Sequence, residues 1–180
     1  RIWALDVHAY KARLASERLR RARVPEVRQV TGDACDLGGI ADLPPAFDRI
    51  LVDAPCSGTG TLRRHPEITW SLRSVDVETC AELQLAMVRS AAARLAPGGM
   101  LTYATCSVLR EENEDVVTAF LESPEGAGFE VVPIAEAVPE GNGFAVDEMD
   151  ERSTPEGYLR TYPAPGSCDG HFCACLRRAR

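Results

Sequence analysis

The sequence predicts an α/β fold built on a doubly wound, mostly parallel sheet. Two observations predict it. Short apolar segments rich in branched residues alternate with segments whose apolar residues recur at helical spacing. Several of the apolar segments also end in aspartate or cysteine, as strands do when they deliver side chains to a ligand crevice beyond their carboxyl ends. The 180 residues, 45% of them hydrophobic, suffice for one domain with a buried core.

The strands are identified by short apolar segments bounded by Gly, Pro or Asp. They are predicted at residues 2–6, 27–31, 47–53, 99–104, 129–134 and 171–176. Between them lie three predicted helices: residues 8–23, ended by Pro25; residues 71–95, ended by Pro97-Gly98-Gly99; and a helix opened by Glu111, Glu112 and Glu114, whose charges suit its positive end. Connecting loops are predicted mainly at residues 34–46, 54–69 and 135–170, and the last of these includes a short hairpin strand.

Doubly wound nucleotide-binding sheets begin with a strand, a glycine-rich turn and a helix that holds the cofactor. No glycine-rich turn precedes the first acidic strand end, at Asp6. We therefore expect the chain to lack the first strand and glycine-rich loop of its sheet. Residues 1–180 are interpreted as one partial catalytic domain, with an acidic, loop-rich insertion over residues 133–170.

The charge and the cysteines limit the class of protein. No apolar segment is long enough to span a membrane, and no signal peptide is recognisable. Seven unevenly spaced cysteines indicate a reducing cytoplasm rather than a secreted disulfide scaffold. The net charge of −7 is uneven: residues 1–23 carry seven cations, whereas residues 111–151 carry thirteen acids and no cation. An anionic partner is therefore steered towards the first part of the chain, unless these charges are only solvated surface.

Three aspartates stand at predicted strand ends: Asp6, Asp33 and Asp53. A carboxylate in the position of Asp6 can accept hydrogen bonds from both hydroxyls of a ribose, and Asp33 can meet the edge of an adenine. No phosphate-binding GxxxxGK[ST] motif is present. The three aspartates therefore suit a nucleoside cofactor with a cationic reacting end better than a cofactor that binds through phosphates. The alternative is that each aspartate only caps a turn or helix.

Two cysteines follow predicted strands: Cys56 in Pro55-Cys56 and Cys106 in Thr105-Cys106. Most free cysteines are small core residues, but these two are flanked by Ser, Thr, Pro or Gly, which favours a loop and thiolate chemistry. Helix N–H groups near Cys106 would favour its anion. His171, Cys173 and Cys175 alternate along the last strand with Cys168 nearby, but their spacing matches no usual zinc pattern, so no metal is expected.

The two cysteine motifs carry a specific resemblance. DAPCSGTG at 53–60, RRHPEITW at 63–70 and YATCS at 103–107 resemble the RNA cytosine-5 methyltransferases, the family with a Pro-Cys and a separate Thr-Cys motif. The bacterial 16S rRNA branch, which includes the Sun/Fmu enzymes, is the most similar. Residues 112–114 and 169–172 also match. The resemblance covers most of residues 1–122 and 168–177 and implies a Rossmann-like methyltransferase sheet.

The resemblance implies roles for these residues. Cys106 attacks C6 of cytosine, C5 takes a methyl group from S-adenosylmethionine, and Cys56 assists release of Cys106. Asp53 holds the N3/N4 edge of the base and borders the cofactor, which Asp6 and Asp33 contact. The expected partner is RNA, with 16S rRNA as the expected substrate and a single-stranded or loop target. The loop after Gly60 carries three basic residues, Arg63, Arg64 and His65, which are expected to meet RNA phosphates unless they are only exposed loop charges with no specific role.

Two other interpretations remain open from the sequence. A DNA cytosine-5 methyltransferase would use the Pro-Cys cysteine, Cys56, as its nucleophile, and the Thr-Cys motif argues against it. A non-catalytic RNA- or protein-binding module could keep the fold alone. Both cysteines and all three aspartates are present, which argues against that alternative.

Overall fold

A computed structural model describes residues 1–24, 26–138, 152–164, 166 and 168–180. The helix end predicted at Pro25 and the middle of the predicted acidic insertion lie outside the described residues. Where the insertion is described, it contains a short helix and a strand. No helix in the described part of the chain is long and apolar enough to cross a membrane.

The first two strands form a small parallel sheet. β1 (Ile2–Asp6) pairs in register with β2 (Val27–Thr31), and α1 (Ala9–Arg21) connects them. This β-α-β unit turns the carboxyl ends of both strands to the same edge, where the backbone N–H of Gly32 donates to the carbonyl of Asp6. β1 makes no ladder with the second sheet, although the rings of Trp3 and Phe47 meet edge to face at 5.7 Å. That the sheet has a further first strand and a glycine-rich loop, both expected to be lacking from this chain, stays a prediction.

The second sheet has five strands: β3 (Phe47–Asp53), β4 (Leu95–Thr105), β5 (Phe129–Val132), β6 (Leu159–Thr161) and β7 (His171–Arg178). β3 and β4 are parallel, and β7 lies beside β4 and pairs antiparallel with β4, β5 and β6. Within this sheet β7 alone therefore runs against the other strands. The predicted α/β fold with a mostly parallel sheet is confirmed.

Helices α3 (Ser74–Ala93) and α4 (Glu114–Leu121) cover one face of this sheet. The core between them consists of apolar side chains that are almost fully buried: Val88, Ala91, Leu101, Tyr103, Val117, Phe120, Phe172 and Leu176. Two shorter helices, α2 (Ile68–Ser71) and α5 (Ile134–Ala137), lie in the loops. Short 3₁₀ turns complete the described helical structure at Ala34–Gly39, Thr59–Thr61, Arg110–Glu112 and Pro124–Gly126.

The structure corrects two predicted boundaries near the site. α3 ends at Ala93 and β4 already begins at Leu95, so Pro97-Gly98-Gly99 is an irregularity inside the strand rather than a turn before it. Gly98 accommodates it with a positive φ of 75°. The second correction concerns the three glutamates predicted to open one helix. A 3₁₀ turn ends at Glu112, and the non-helical backbone of Asn113, with φ −120° and ψ −96°, separates it from α4.

Candidate active site

Two loops leave the same edge of the second sheet. β3 ends at Asp53 and β4 at Thr105, and because the strands are parallel neighbours, Asp53 lies opposite Ala104. The backbone continues this pairing into the loops, since the N–H of Ala54 donates to the carbonyl of Ala104 at 3.0 Å. The Pro-Cys and Thr-Cys motifs are thereby held side by side, although fifty residues separate them in the chain.

The sulfur atoms of Cys56 and Cys106 lie 3.3 Å apart. This distance is too long for a disulfide and suits a hydrogen bond between a thiol and a thiolate. Both side chains are half-buried, so part of each remains accessible from the surface. The predicted convergence of the two cysteines is therefore present in the structure.

The pair divides into a donor and an anion. The hydrogen bond from Cys56, joined by the backbone N–H of Cys106, lowers the pKa of Cys106 to about 7 against the opposing effects of burial and of Asp53 and Glu112. The pKa of Cys56 is raised well above its ordinary value, chiefly by the same hydrogen bond and by burial. The directions of the two pKa shifts favour Cys56 as the donor and Cys106 as the acceptor of this hydrogen bond. The predicted helix-terminus effect is not the cause, because the turn that follows has only three residues.

The three strand-end aspartates occupy two places. Asp53 is exposed at the end of β3, where its charge acts on Cys106. Asp6 and Asp33 lie at the carboxyl ends of β1 and β2. Each uses one carboxylate oxygen as a local cap, accepting from the backbone N–H of His8 and of Cys35 at 2.8 Å. The capping alternative therefore describes part of their role, and a second oxygen of each remains without a hydrogen bond in the described structure.

A buried carboxylate joins the two cysteine loops. Glu112 is fully buried, and its carboxylate accepts from the backbone N–H of Ser57 at 2.7 Å and from the hydroxyl groups of Ser57 and Ser107. Ser57 follows Cys56 directly and Ser107 follows Cys106, so one side chain holds the residues next to both thiols. The serine hydroxyls also lie 3.3 Å apart. Glu112 is a positioning residue of the site.

Two further buried polar side chains support the loops. Gln84 of α3 donates to the carbonyl of Pro55 at 2.8 Å and to Glu112 at 3.3 Å. Asn113 accepts from the hydroxyl of Thr105 at 2.6 Å and donates to the carbonyl of Ser107 at 2.9 Å, thereby bridging the residues on either side of Cys106. Both residues are completely buried. Fixed polar networks of this kind hold a reactive side chain in one geometry.

Sequence reasoning did not assign these three residues. Glu112 and Asn113 were noted only as part of a matching motif, and Glu112 was interpreted as a helix-terminal acid. One available signal was Gln84, a polar residue at helical spacing from Val88 and Ala91 in the buried side of α3. Arg160 of β6 was also missed. Its guanidinium donates to the carbonyl of Val108 and forms an ion pair with Glu114.

The predicted RNA-binding cations have protein partners. Arg64 binds Asp169 through its Nε at 2.7 Å, and Arg63 lies 3.6 Å from the same carboxylate. His65 lies 3.1 Å from Glu67. The guanidinium groups remain about half exposed, and Asp169 has its pKa lowered by the hydrogen bond from Arg64. No three metal-binding side chains cluster in the described ranges. That the protein binds no metal stays a prediction.

Gly60 is the closest point between the loops. Its N–H donates to the carbonyl of Cys106 and its carbonyl accepts from the N–H of Gly170, both at 2.9 Å. A Cβ atom at this position would lie 2.0 Å from the carbonyl oxygen of Gly170 and 2.8 Å from that of Cys106. Only glycine fits between the two backbones.

We expect Gly60→Ala to lower the free energy of unfolding by about 1–3 kcal/mol, because the loops must separate to admit the methyl group. Urea denaturation measures the change. Gly38→Ala is the matched control, since a Cβ atom there would meet nothing closer than 3.5 Å. Equal unfolding midpoints for the two variants would show that the loops are not packed as described.

The thiol pair predicts a pH profile for alkylation. We expect the rate at which iodoacetamide modifies Cys106 to rise with pH through about 7, because only the thiolate reacts and its pKa is about 7. Cys56→Ala removes the donor and moves the midpoint up towards about 8.5. Cys56→Ser keeps a donor and moves it less. Peptide mapping by mass spectrometry reports each midpoint; an unchanged midpoint in Cys56→Ala excludes the hydrogen bond as its cause.

Comparison with known proteins places this geometry in context. A model of the family described as 16S rRNA methyltransferase RsmB/F matches residues 1–177. The ribosomal RNA small subunit methyltransferase B of Salmonella newport is 47% identical over 109 residues, which are 54% of this chain and 25% of that protein. The chain thus spans about a quarter of the curated relatives it matches.

Solved structures share the fold. NSun6 from Pyrococcus horikoshii, solved with SFG, superposes with a TM-score of 0.77 at 29% identity, over 99% of this chain and 41% of that one. A methyltransferase homolog protein from the same organism has a TM-score of 0.73 at 28% identity, over 98% of this chain and 53% of that one. The Rossmann-like arrangement of the sheet is common to them.

Proposed function

The chain belongs to the 16S rRNA methyltransferase RsmB/F family, and from this premise we propose that it forms the catalytic part of an enzyme that methylates C5 of a cytosine in RNA. The proposed substrate is 16S rRNA and the proposed methyl donor is S-adenosylmethionine. One observation carries the proposal: the sulfur atoms of Cys56 and Cys106, which follow two adjacent parallel strands, lie 3.3 Å apart.

The proposed reaction begins at Cys106. C5 of cytosine is a weak nucleophile, so the Cys106 thiolate first adds to C6, and the electron pair of the C5–C6 double bond becomes available at C5. Asp53, beside Cys106, holds the N3/N4 edge of the base and stabilises the charge that develops on the ring. C5 would then take the methyl group that bound S-adenosylmethionine would supply, with the electron pair of the broken carbon–sulfur bond staying on sulfur.

The second half of the reaction releases the enzyme. The C5 proton leaves to solvent, the bond between Cys106 and C6 breaks, and the double bond of the ring is restored. Cys56 assists by donating its hydrogen bond to the departing thiolate, which is the interaction that lowers the pKa of Cys106 in the free protein. Cys56 itself, with a raised pKa, is poorly suited to be the nucleophile, which argues against the DNA-type assignment.

The donor set of the first sheet is compatible with S-adenosylmethionine. Asp6 and Asp33 each present a carboxylate oxygen beyond the ends of adjacent parallel strands, and oxygen acceptors match the ribose hydroxyls and the adenine amine. When bound, S-adenosylmethionine supplies a methyl group activated by a sulfonium. Two solved neighbours carry the analogues SFG and SAH, and the first is 29% identical to this chain.

The RNA contact is proposed for the loop after Gly60. Arg63 and Arg64 keep about half of their side-chain surface exposed although both face Asp169, and His65 follows them. Guanidinium groups in this position can donate to phosphate oxygens without leaving the carboxylate that orients them.

Transfer of radiolabelled methyl groups from S-adenosylmethionine to unmodified 16S rRNA, by a protein that carries this chain together with the predicted first strand and glycine-rich loop, tests the proposal. We expect label in the RNA, and bisulfite sequencing should place it on C5 of a cytosine. Label on a ribose, on another base or on protein would contradict the proposed reaction. Calorimetry with S-adenosylmethionine tests the cofactor separately, and Asp6→Ala should weaken its binding.

A further inference from the structure

The most exposed large apolar side chain in the described part of the chain is Trp70, at 87%. It belongs to the short helix α2, which follows the Pro-Cys loop. Leaving an indole in water forfeits the burial that usually stabilises it, and aromatic residues exposed beside polar groups commonly mark a binding surface. The reaction proposed above gives Trp70 no role.

α2 is attached to the loop that carries Cys56. The side chain of Ile68 packs against Gly58, where an added Cβ would lie 3.3 Å from its Cδ1 atom, and the backbone N–H of His65 donates to the carbonyl of Thr61. Successive helical residues are about 100° apart, so Trp70 points roughly away from the side on which Ile68 contacts Gly58. Trp70 therefore faces solvent beside the Pro-Cys loop.

Two arginines that flank Trp70 in the sequence have guanidinium groups held at one edge by a carboxylate. Arg73 is held by both oxygens of Asp76, at 3.1 Å through Nε and 2.8 Å through its terminal nitrogen, and remains 73% exposed. Arg64 is held by Asp169 and is 58% exposed. A carboxylate that binds the edge of a guanidinium leaves its flat faces open, and nucleic-acid bases stack on such faces as they do on aromatic rings.

We propose that Trp70, with Arg64 and Arg73, stacks unpaired RNA bases next to the cytosine that enters the cleft. The partner is single-stranded RNA, because a base inside a duplex offers no free face to an indole. The three arginines of residues 61–73 are matched by Glu67, Asp76 and Asp169, so stacking on the exposed ring and guanidinium faces, and not net charge, is the expected attraction. The inference rests on RNA being the substrate and names the contact that holds the target strand.

Trp70 fluorescence tests the contact directly. In a Trp3→Phe background Trp70 is the remaining tryptophan; the Trp3 indole N–H makes no hydrogen bond in the described structure, so its loss should be tolerated. We expect emission typical of an indole in water, quenched by a single-stranded RNA of about twelve nucleotides with a central cytosine. The same RNA in a duplex should not quench it. Emission typical of a buried indole, or equal quenching by the duplex, would overturn the inference.

Fluorescence anisotropy of the labelled RNA gives the energetic test. We expect Trp70→Ala to weaken binding roughly 5- to 100-fold, the range for one lost base–aromatic stack, and Trp70→Phe to retain most of the affinity. Leu83→Ala, at an exposed apolar position of α3, is the control. Unchanged affinity in Trp70→Ala overturns the inference but not the proposed function, which is judged separately by methyl transfer and by the adduct at Cys106.

Discussion

Cys106→Ala is expected to lower the rate of methyl transfer at least about a thousandfold, because it removes the atom that bonds to C6 of the cytosine. The same variant should form no covalent complex with RNA that contains 5-fluorocytosine, whose C5 fluorine blocks the proton loss needed for release. Denaturing gel electrophoresis detects the complex as a slower band. Wild-type protein should give that band and Cys106→Ala should not.

The matched variant at the other thiol should behave differently. Cys56→Ala leaves the nucleophile in place but removes the donor 3.3 Å away, so addition to C6 proceeds and release slows. We expect turnover to fall while a covalent complex accumulates even with ordinary cytosine RNA. If Cys56→Ala lost the complex and Cys106→Ala kept it, the two roles would be reversed, as in the DNA-type alternative.

Glu112→Ala is expected to lower the free energy of unfolding by about 2–5 kcal/mol, since it leaves buried donors of Ser57, Ser107 and Gln84 without their acceptor. Without Glu112, Ser57 and Ser107 are no longer held together, so the sulfur atoms of Cys56 and Cys106 should also move apart. The midpoint pH for alkylation of Cys106 should then rise, because the hydrogen bond from Cys56 outweighs the opposing charge of Glu112 in setting that pKa.

Glu111→Ala is the control for Glu112, since the neighbouring carboxylate is exposed and makes no hydrogen bond in the described structure. Its stability should change by less than about 0.5 kcal/mol. A stability loss in Glu112→Ala with an unchanged alkylation midpoint would make Glu112 a structural residue only. Glu112→Gln should lose less stability than the alanine variant, because its amide oxygen can accept from the backbone N–H of Ser57 and its amide nitrogen can donate to the serine hydroxyls.

The sequence allowed the thiol pair to be predicted because each cysteine follows its own strand. The end of a strand is a local property, and parallel neighbours bring their carboxyl ends together. The 3.3 Å separation and the division into donor and anion could not be predicted in that way. They depend on how the two loops pack against each other.

Glu112 shows why the rest of the site was not predictable. In the sequence it stands beside Glu111 and before Glu114 with nothing to distinguish the three acids. The non-helical backbone at Asn113 interrupts the helix, and Glu112 lies inward, where it meets serines from loops fifty residues apart. Such a contact is set by tertiary packing and has no periodic signal.

Mass spectrometry of the peptide linked to 5-fluorocytosine RNA tests the central claim most directly. The wild-type protein, incubated with S-adenosylmethionine and the RNA and then digested, should yield a nucleotide joined to the peptide that contains Cys106. A nucleotide on the peptide that contains Cys56, or no linked peptide although methyl transfer to ordinary RNA proceeds, would contradict the assignment of Cys106 as the nucleophile.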